Sequence, residues 1–280
     1  MQLRLFLHQV SVLTLAELRE LLWRRRSFLS LILYSLIILL SAWLLFKVHS
    51  TLGAGRGTMD LDSPDHSELA KALDKMNARG LFETVLRLGT LPAALWIFQI
   101  FSLFWFPMLV GLVSCDCIAL DVYRGTLRFV LLRCSRAAYY TAKMCSHFVL
   151  YAVLQALSLA MVLIYSAFIV ADVPFLPLLK LTIQYFLVFL PFLWCVVAST
   201  QFISSWSGRP MNALIRVHVM WVGFIFMLAL VPWASPLWSK ILVGLFVPFD
   251  GHPIASIFGY TAWGAFFSLA GLLFFLRRDV

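Results

Sequence analysis

Charged side chains are scarce in this sequence. They make up 12% of its 280 residues, and only 13 are acidic, where a soluble domain carries about 25%. That excludes a separate charge-clad soluble domain. The signatures of common catalytic machinery are missing as well: there is no Walker lysine loop, no H-E-x-x-H, no G-x-S-x-G and no pair of intramembrane aspartates. Gly53, Gly55 and Gly57 are not followed by Gly-Lys-Ser/Thr, so they form no phosphate loop. Asp116 and Asp121 find no further acids close by with which to build a metal cage, which argues against a metal-dependent phosphotransferase. The five cysteines are odd in number, and all fall in apolar runs or on the expected cytoplasmic side, so no disulfide framework is expected. Cys115 and Cys117 have no His or second Cys pair at ligand spacing and read as small apolar filler. The long apolar runs hold almost no ionisable residues, which speaks against a proton-coupled carrier. Their buried polarity comes from His147, His218, Gln99, Gln155, Gln184 and Gln201, read as helix-to-helix hydrogen bonds or interface residues. On this reading the chain is no enzyme, binds no cofactor or metal of its own, and takes any driving force from elsewhere.

What is present is apolar. Hydrophobic residues make up 62% of the chain, and a run of about 20 is enough to cross a hydrocarbon core of about 30 Å. The expected fold is all-α, a polytopic membrane protein forming one transmembrane domain over 1–280. Six spans are predicted at 27–46, 88–114, 144–171, 178–204, 217–231 and 254–276. Residues 1–26 form an amphipathic helix on the cytoplasmic membrane surface, its main part at 13–26. There Thr14 and Glu17 fit a capping box, Leu15, Leu18 and Leu22 share a face, and Trp23 with Arg24, Arg25 and Arg26 anchors the end. Glu17 and Glu20 argue against a cleaved signal peptide. The segment 47–87 balances six basic against six acidic residues, as an external segment does, and its stretch 67–85 reads as a surface-lying helix with room for a periplasmic partner. Met59, Met76, His49 and His66 lie in or beside it without metal-ligand spacing. Four prolines bracket the apolar piece 237–249, too short to cross, so 232–253 is predicted to dip into the outer leaflet and return.

The net charge of +9 is assigned to topology rather than to nucleic acid. Fourteen of the 22 Lys and Arg residues fall in segments 1–27, 116–143, 205–216 and 277–280. Basic residues are retained on the cytoplasmic side, so both termini are expected inside, in a bacterial inner membrane. The polar interruption 116–143 stands out, with Arg124, Arg128, Arg133, Arg136 and Lys143 between two long apolar runs.

The order of residues in that interruption carries a resemblance. Asp121, Gly125-Thr126-Leu127, Leu131-Leu132, Ser135-Arg136 and Lys143 resemble the acid, Gly-Thr-Leu, Leu-Leu, Ser-Arg and Lys series of ABC-2 type ABC transporter permeases. The closing Arg277-Arg278-Asp279-Val280 is similar to a tail common in that family. Asp121 stands where Glu is frequent, and Cys134 where Pro often precedes the Ser-Arg pair. The compact size and long external segment look most like the permeases of nitrous oxide reductase maturation, gliding-motility and drug or bacteriocin export systems. The resemblance implies a permease subunit driven by a separate ATPase, for export, lipid flipping or mechanotransmission. It implies two permease copies as a homodimer, two ATPase copies, and ATP with Mg held by the ATPase. The inner loop would be a coupling helix from about 126 to 132, made by Asp121, Arg124, Gly125, Thr126, Leu127, Arg128, Val130, Leu131, Arg133, Ser135 and Arg136. It would present Leu127, Val130 and Leu131 to an apolar groove of the ATPase, with Arg124, Arg128, Arg133 and Arg136 pairing with acids on the rim. A non-transporting membrane scaffold or receptor is the rival expectation.

Overall fold

A computed structural model describes residues 2–23, five positions between 32 and 43, 93–169, 175–234 and 253–278. All regular structure among them is helical: α1 (Gln2–Trp23), α2 (Ala93–Ser114), α3 (Ala119–Tyr123), α4 (Thr126–Leu131), α5 (Arg136–Ile169), α6 (Phe175–Trp206), α7 (Pro210–Ala234) and α8 (Pro253–Arg277). Four stretches are long and apolar enough to cross a membrane, at Ser102–Tyr123, Arg136–Ile164, Leu178–Trp206 and Ile257–Arg277. They correspond to the second, third, fourth and sixth expected spans. The fifth, 217–231, lies within α7, which is not among the four. The span at 27–46, apart from five helical positions, lies outside the described residues, as do the external segment 47–87 and the re-entrant piece from 235 to 252.

Several boundaries differ from the sequence expectation for local reasons. Helix α5 starts eight residues before 144, because Ser135 caps it: the Ala138 amide donates to Ser135 Oγ at 3.2 Å. Helix α7 starts at Pro210 rather than 217, with proline in the first position, where its missing N–H costs nothing. It continues through Ala234, so residues 232–234 are helical rather than the start of a re-entrant segment. Helix α1 begins at Gln2, which leaves Thr14 and Glu17 in its interior. The capping box is therefore absent. Thr14 Oγ1 instead donates to the Ala142 carbonyl of α5 at 3.5 Å.

Helix α6 is central, touching α2, α3, α5, α7 and α8, while α1 lies against α5. Its neighbours are knitted to it by aromatic rings. Phe106 of α2 meets Tyr34, Tyr151 and Phe189 edge-on at 5.8, 5.8 and 5.5 Å, and Phe192 meets Tyr260 of α8 at 5.0 Å. Buried polar groups bridge elements as well. Tyr34 Oη donates to Gln155 Oε1 at 2.9 Å, Ser114 and Tyr151 share a 2.7 Å bond, and Gln201 Nε2 donates to the Tyr140 carbonyl at 2.8 Å. His147 and His218 differ from the two glutamines, since each ring donates to a carbonyl four residues back on its own helix.

The most extensive helix pair is α6 with α8, and Tyr140 of α5 packs into it. A methyl group added at Gly271 would overlap the Tyr140 hydroxyl and approach Phe202 Cα to 3.3 Å, so the absence of a side chain there is what lets the three helices close. Tyr140 is buried, and its hydroxyl has no hydrogen-bond partner among the described residues. Gly271→Ala should therefore destabilise the protein by about 1–3 kcal/mol, the usual range for overpacking. Tyr140→Phe alone should be close to neutral, since it removes an unpaired buried hydroxyl. The double variant should recover part of the loss, as thermal unfolding of purified protein in detergent would read.

Candidate functional site

The polar loop between α2 and α5 is a folded unit held at one end of the helix bundle. After α2 the chain makes a turn whose Ile118 and Ala119 amides both donate to Ser204 Oγ of α6 at 3.1 Å. Helices α3 and α4 follow as a tight hairpin around Gly125, whose φ of 70° is a left-handed conformation that favours glycine. The Thr126 hydroxyl, one residue on, faces the Asp121 carbonyl at 3.3 Å and its Oδ1 at 3.2 Å. The Gly-Thr pair thus folds the hairpin back onto Asp121.

Asp121 meets Lys143 across this hairpin. Lys143 is 6% exposed and carries its ammonium between two carboxylates, Glu17 Oε1 of α1 at 2.8 Å and Asp121 Oδ2 at 3.2 Å. Tyr139 Oη donates a short hydrogen bond to Asp121 Oδ2, and the ammonium lies 5.5 Å from the centre of the same ring. Three separate parts of the chain are joined in one buried charge cluster. Burying an ammonium is costly unless it is paired, and two carboxylates with a phenol supply that pairing.

The remaining motif residues close the same end of the bundle. Arg136 Nη1 donates to the Leu276 carbonyl at 3.0 Å and the Arg278 carbonyl at 2.7 Å, capping the C-terminus of α8. Arg278 in turn donates a short bond to the Ser205 carbonyl and a second to Ser207 at 3.3 Å, at the end of α6. Leu127 is fully buried beside Cys117, Ile118, Tyr139, Tyr140 and Phe275, with Val130 and Leu131 packed against that cluster.

The expected site residues therefore divide. Asp121, Gly125, Thr126, Ser135 and Arg136 are internal fasteners, and Leu127, Val130 and Leu131 face the chain's own interior rather than outward as expected. Arg124, Arg128 and Arg133 are exposed. The apolar groups on the outer face are Tyr123, Phe129 and Leu132, at 64%, 72% and 84% exposure. Which apolar face of a six-residue helix turns inward is not written in its periodicity. Glu17 is the other residue that sequence reasoning placed differently, and there a signal existed. Leu13, Glu17, Leu18 and Leu21 recur at helical spacing, and that is the face that packs, while Leu15 and Leu22 are 68% and 55% exposed.

No family model matches the chain, and no curated protein matches it. The geometry must speak for itself. Among the described residues no group of three or more His, Cys, Asp or Glu could hold a metal ion. Cys134, beside α4, donates its thiol hydrogen to the Val130 carbonyl at 3.3 Å, and burial pushes its pKa up, so the thiol stays protonated. The arrangement is a fastened hairpin with an exposed cationic and apolar face, joined through the buried lysine of α5 to α1.

Lys143→Met should leave Glu17 and Asp121 facing each other without their cation. The expected cost is about 3–5 kcal/mol, the range for breaking a buried pair. Adding Glu17→Gln and Asp121→Asn to it should restore much of that stability, measured by denaturant or thermal unfolding in detergent. A single variant as stable as the unaltered protein would show that the cluster does not hold the hairpin.

Proposed function

We propose that this chain is the membrane subunit of an ATP-driven transporter of the ABC-2 type, and that a separate ATPase docks on the outer face of the α3–α4 hairpin. The observation that carries the reading is the pairing of that face with its fastening: Arg124, Arg128 and Leu132 point outward on a hairpin anchored to α1 by Lys143. Exposed apolar groups ringed by arginines suit a groove with acidic edges. A push on the hairpin would pass through Asp121 and Lys143 to Glu17, so that α1 and α5 move with it. The family resemblance of the motif supports the same role. On this reading two permease copies form a homodimer served by two ATPase copies carrying ATP and Mg. The chain lies in a bacterial inner membrane with six spans and both termini cytoplasmic, and it exports or flips a substrate or transmits force to an external partner.

Affinity purification of the tagged chain from native membranes tests this. A Walker-motif ATPase should be retained, and Arg128→Glu with Leu132→Asp should lower its recovery about tenfold while leaving membrane insertion intact. Recovery without any such ATPase, or equal recovery with the variant, would favour a non-transporting scaffold.

A further inference from the structure

Helix α1 and the hairpin line a groove of about 430 Å³, which takes Phe129 from the outer face but none of Arg124, Arg128 and Leu132. Its walls are apolar, from Val12 and Leu13 on one side and Phe129 and Val130 on the other, and its polar edge carries Arg133 and His8. No carboxylate lines it. Arg133 lines the groove and differs from the basic residues that fasten this end of the bundle. Lys143 is spent on two carboxylates, and Arg136 and Arg278 on backbone carbonyls. Arg133 is exposed and makes no ion pair among the described residues.

Depth is fixed by α5. The helix runs 34 residues, Arg136–Ile169, about 51 Å at 1.5 Å per residue. That exceeds a bilayer with its headgroups, about 40–45 Å. A spanning helix of that length reaches the headgroup layer at its Arg136 end, and Arg133 precedes it by three residues. A guanidinium presents a fork of N–H donors that matches phosphate oxygens, and the apolar walls suit an acyl chain. We infer that this groove binds an anionic phospholipid, with its phosphate on Arg133 and an acyl chain against Val12, Leu13, Phe129 and Val130. The bound lipid would wedge α1 against the hairpin. The inference rests on the membrane reading of the four apolar helices and not on the ATPase.

The test uses the full chain, purified and delipidated in detergent, with no ATPase present. Phosphatidylglycerol, phosphatidylcholine or inorganic phosphate is added, and bound lipid is read by native mass spectrometry alongside the unfolding temperature. Phosphatidylglycerol should be retained over phosphatidylcholine and should raise the unfolding temperature, while phosphate alone should not. Arg133→Gln should weaken phosphatidylglycerol retention about tenfold, with Arg133→Lys intermediate, because lysine keeps the charge and loses the fork. Arg209→Gln, an exposed arginine outside the groove, should bind lipid as the unaltered chain does. Equal retention of both lipids, an unchanged Arg133→Gln, or a shift by phosphate alone would overturn the inference. So would loss of a co-purifying polypeptide in Arg133→Gln while lipid binding stays the same. Should Arg133→Gln fail to fold, Arg133→Lys decides: retention equal to the unaltered chain counts against the phosphate fork.

Discussion

One ammonium group organises the end of this bundle. Lys143 stands two turns into α5, buried where an unpaired charge would not be tolerated, and it is held by Glu17 from α1 and Asp121 from the hairpin. Each partner comes from a different element. The hairpin buries one small apolar cluster around Leu127, and α1 leaves many of its apolar residues outside. The ion cluster supplies direction where the hydrophobic effect supplies only adhesion. It fixes which turn of α1 lies beside which turn of α5, since Thr14 meets Ala142 where Glu17 meets Lys143.

The rest of the bundle is built by different means. Helices α2, α6 and α8 interlock through aromatic edges and through the close approach at Gly271, and hydroxyl and amide groups tie α5 to α2 and to α6. One flank of α8 faces outward, with Phe258, Phe266, Leu269 and Leu273 at 56% exposure or more. A helix of that kind calls for lipid or a second protein surface along its flank.

The membrane-crossing helices were legible because long apolar runs with charged punctuation admit few other structures. Four of the six expected runs appear as such stretches in the described residues. Faces were harder to read. In a chain where 62% of residues are hydrophobic, apolar side chains line both the packed and the outward sides of a helix, and periodicity loses its meaning. That is why Leu15, Leu18 and Leu22 read as one face of α1 although only Leu18 of the three packs against the core, and why Leu127 is expected on the outer face of α4. The motif residues Asp121, Gly125, Thr126, Ser135, Arg136 and Lys143 were visible as a series. Their contact with one another, with Glu17 and with the end of α8 spans distances of up to 142 positions, which no local pattern encodes.

The arginine exchange at the bundle end bears on the order of assembly. The Asp121–Lys143 contact closes over a short loop, and Glu17 precedes both, so this cluster can form while the later helices are still being synthesised. The partners of Arg136 are carbonyls of residues 276 and 278, and the α6 end receives its guanidinium from Arg278. Those bonds await nearly all of the sequence. By chain order the charge cluster can close early and the arginine latch only late.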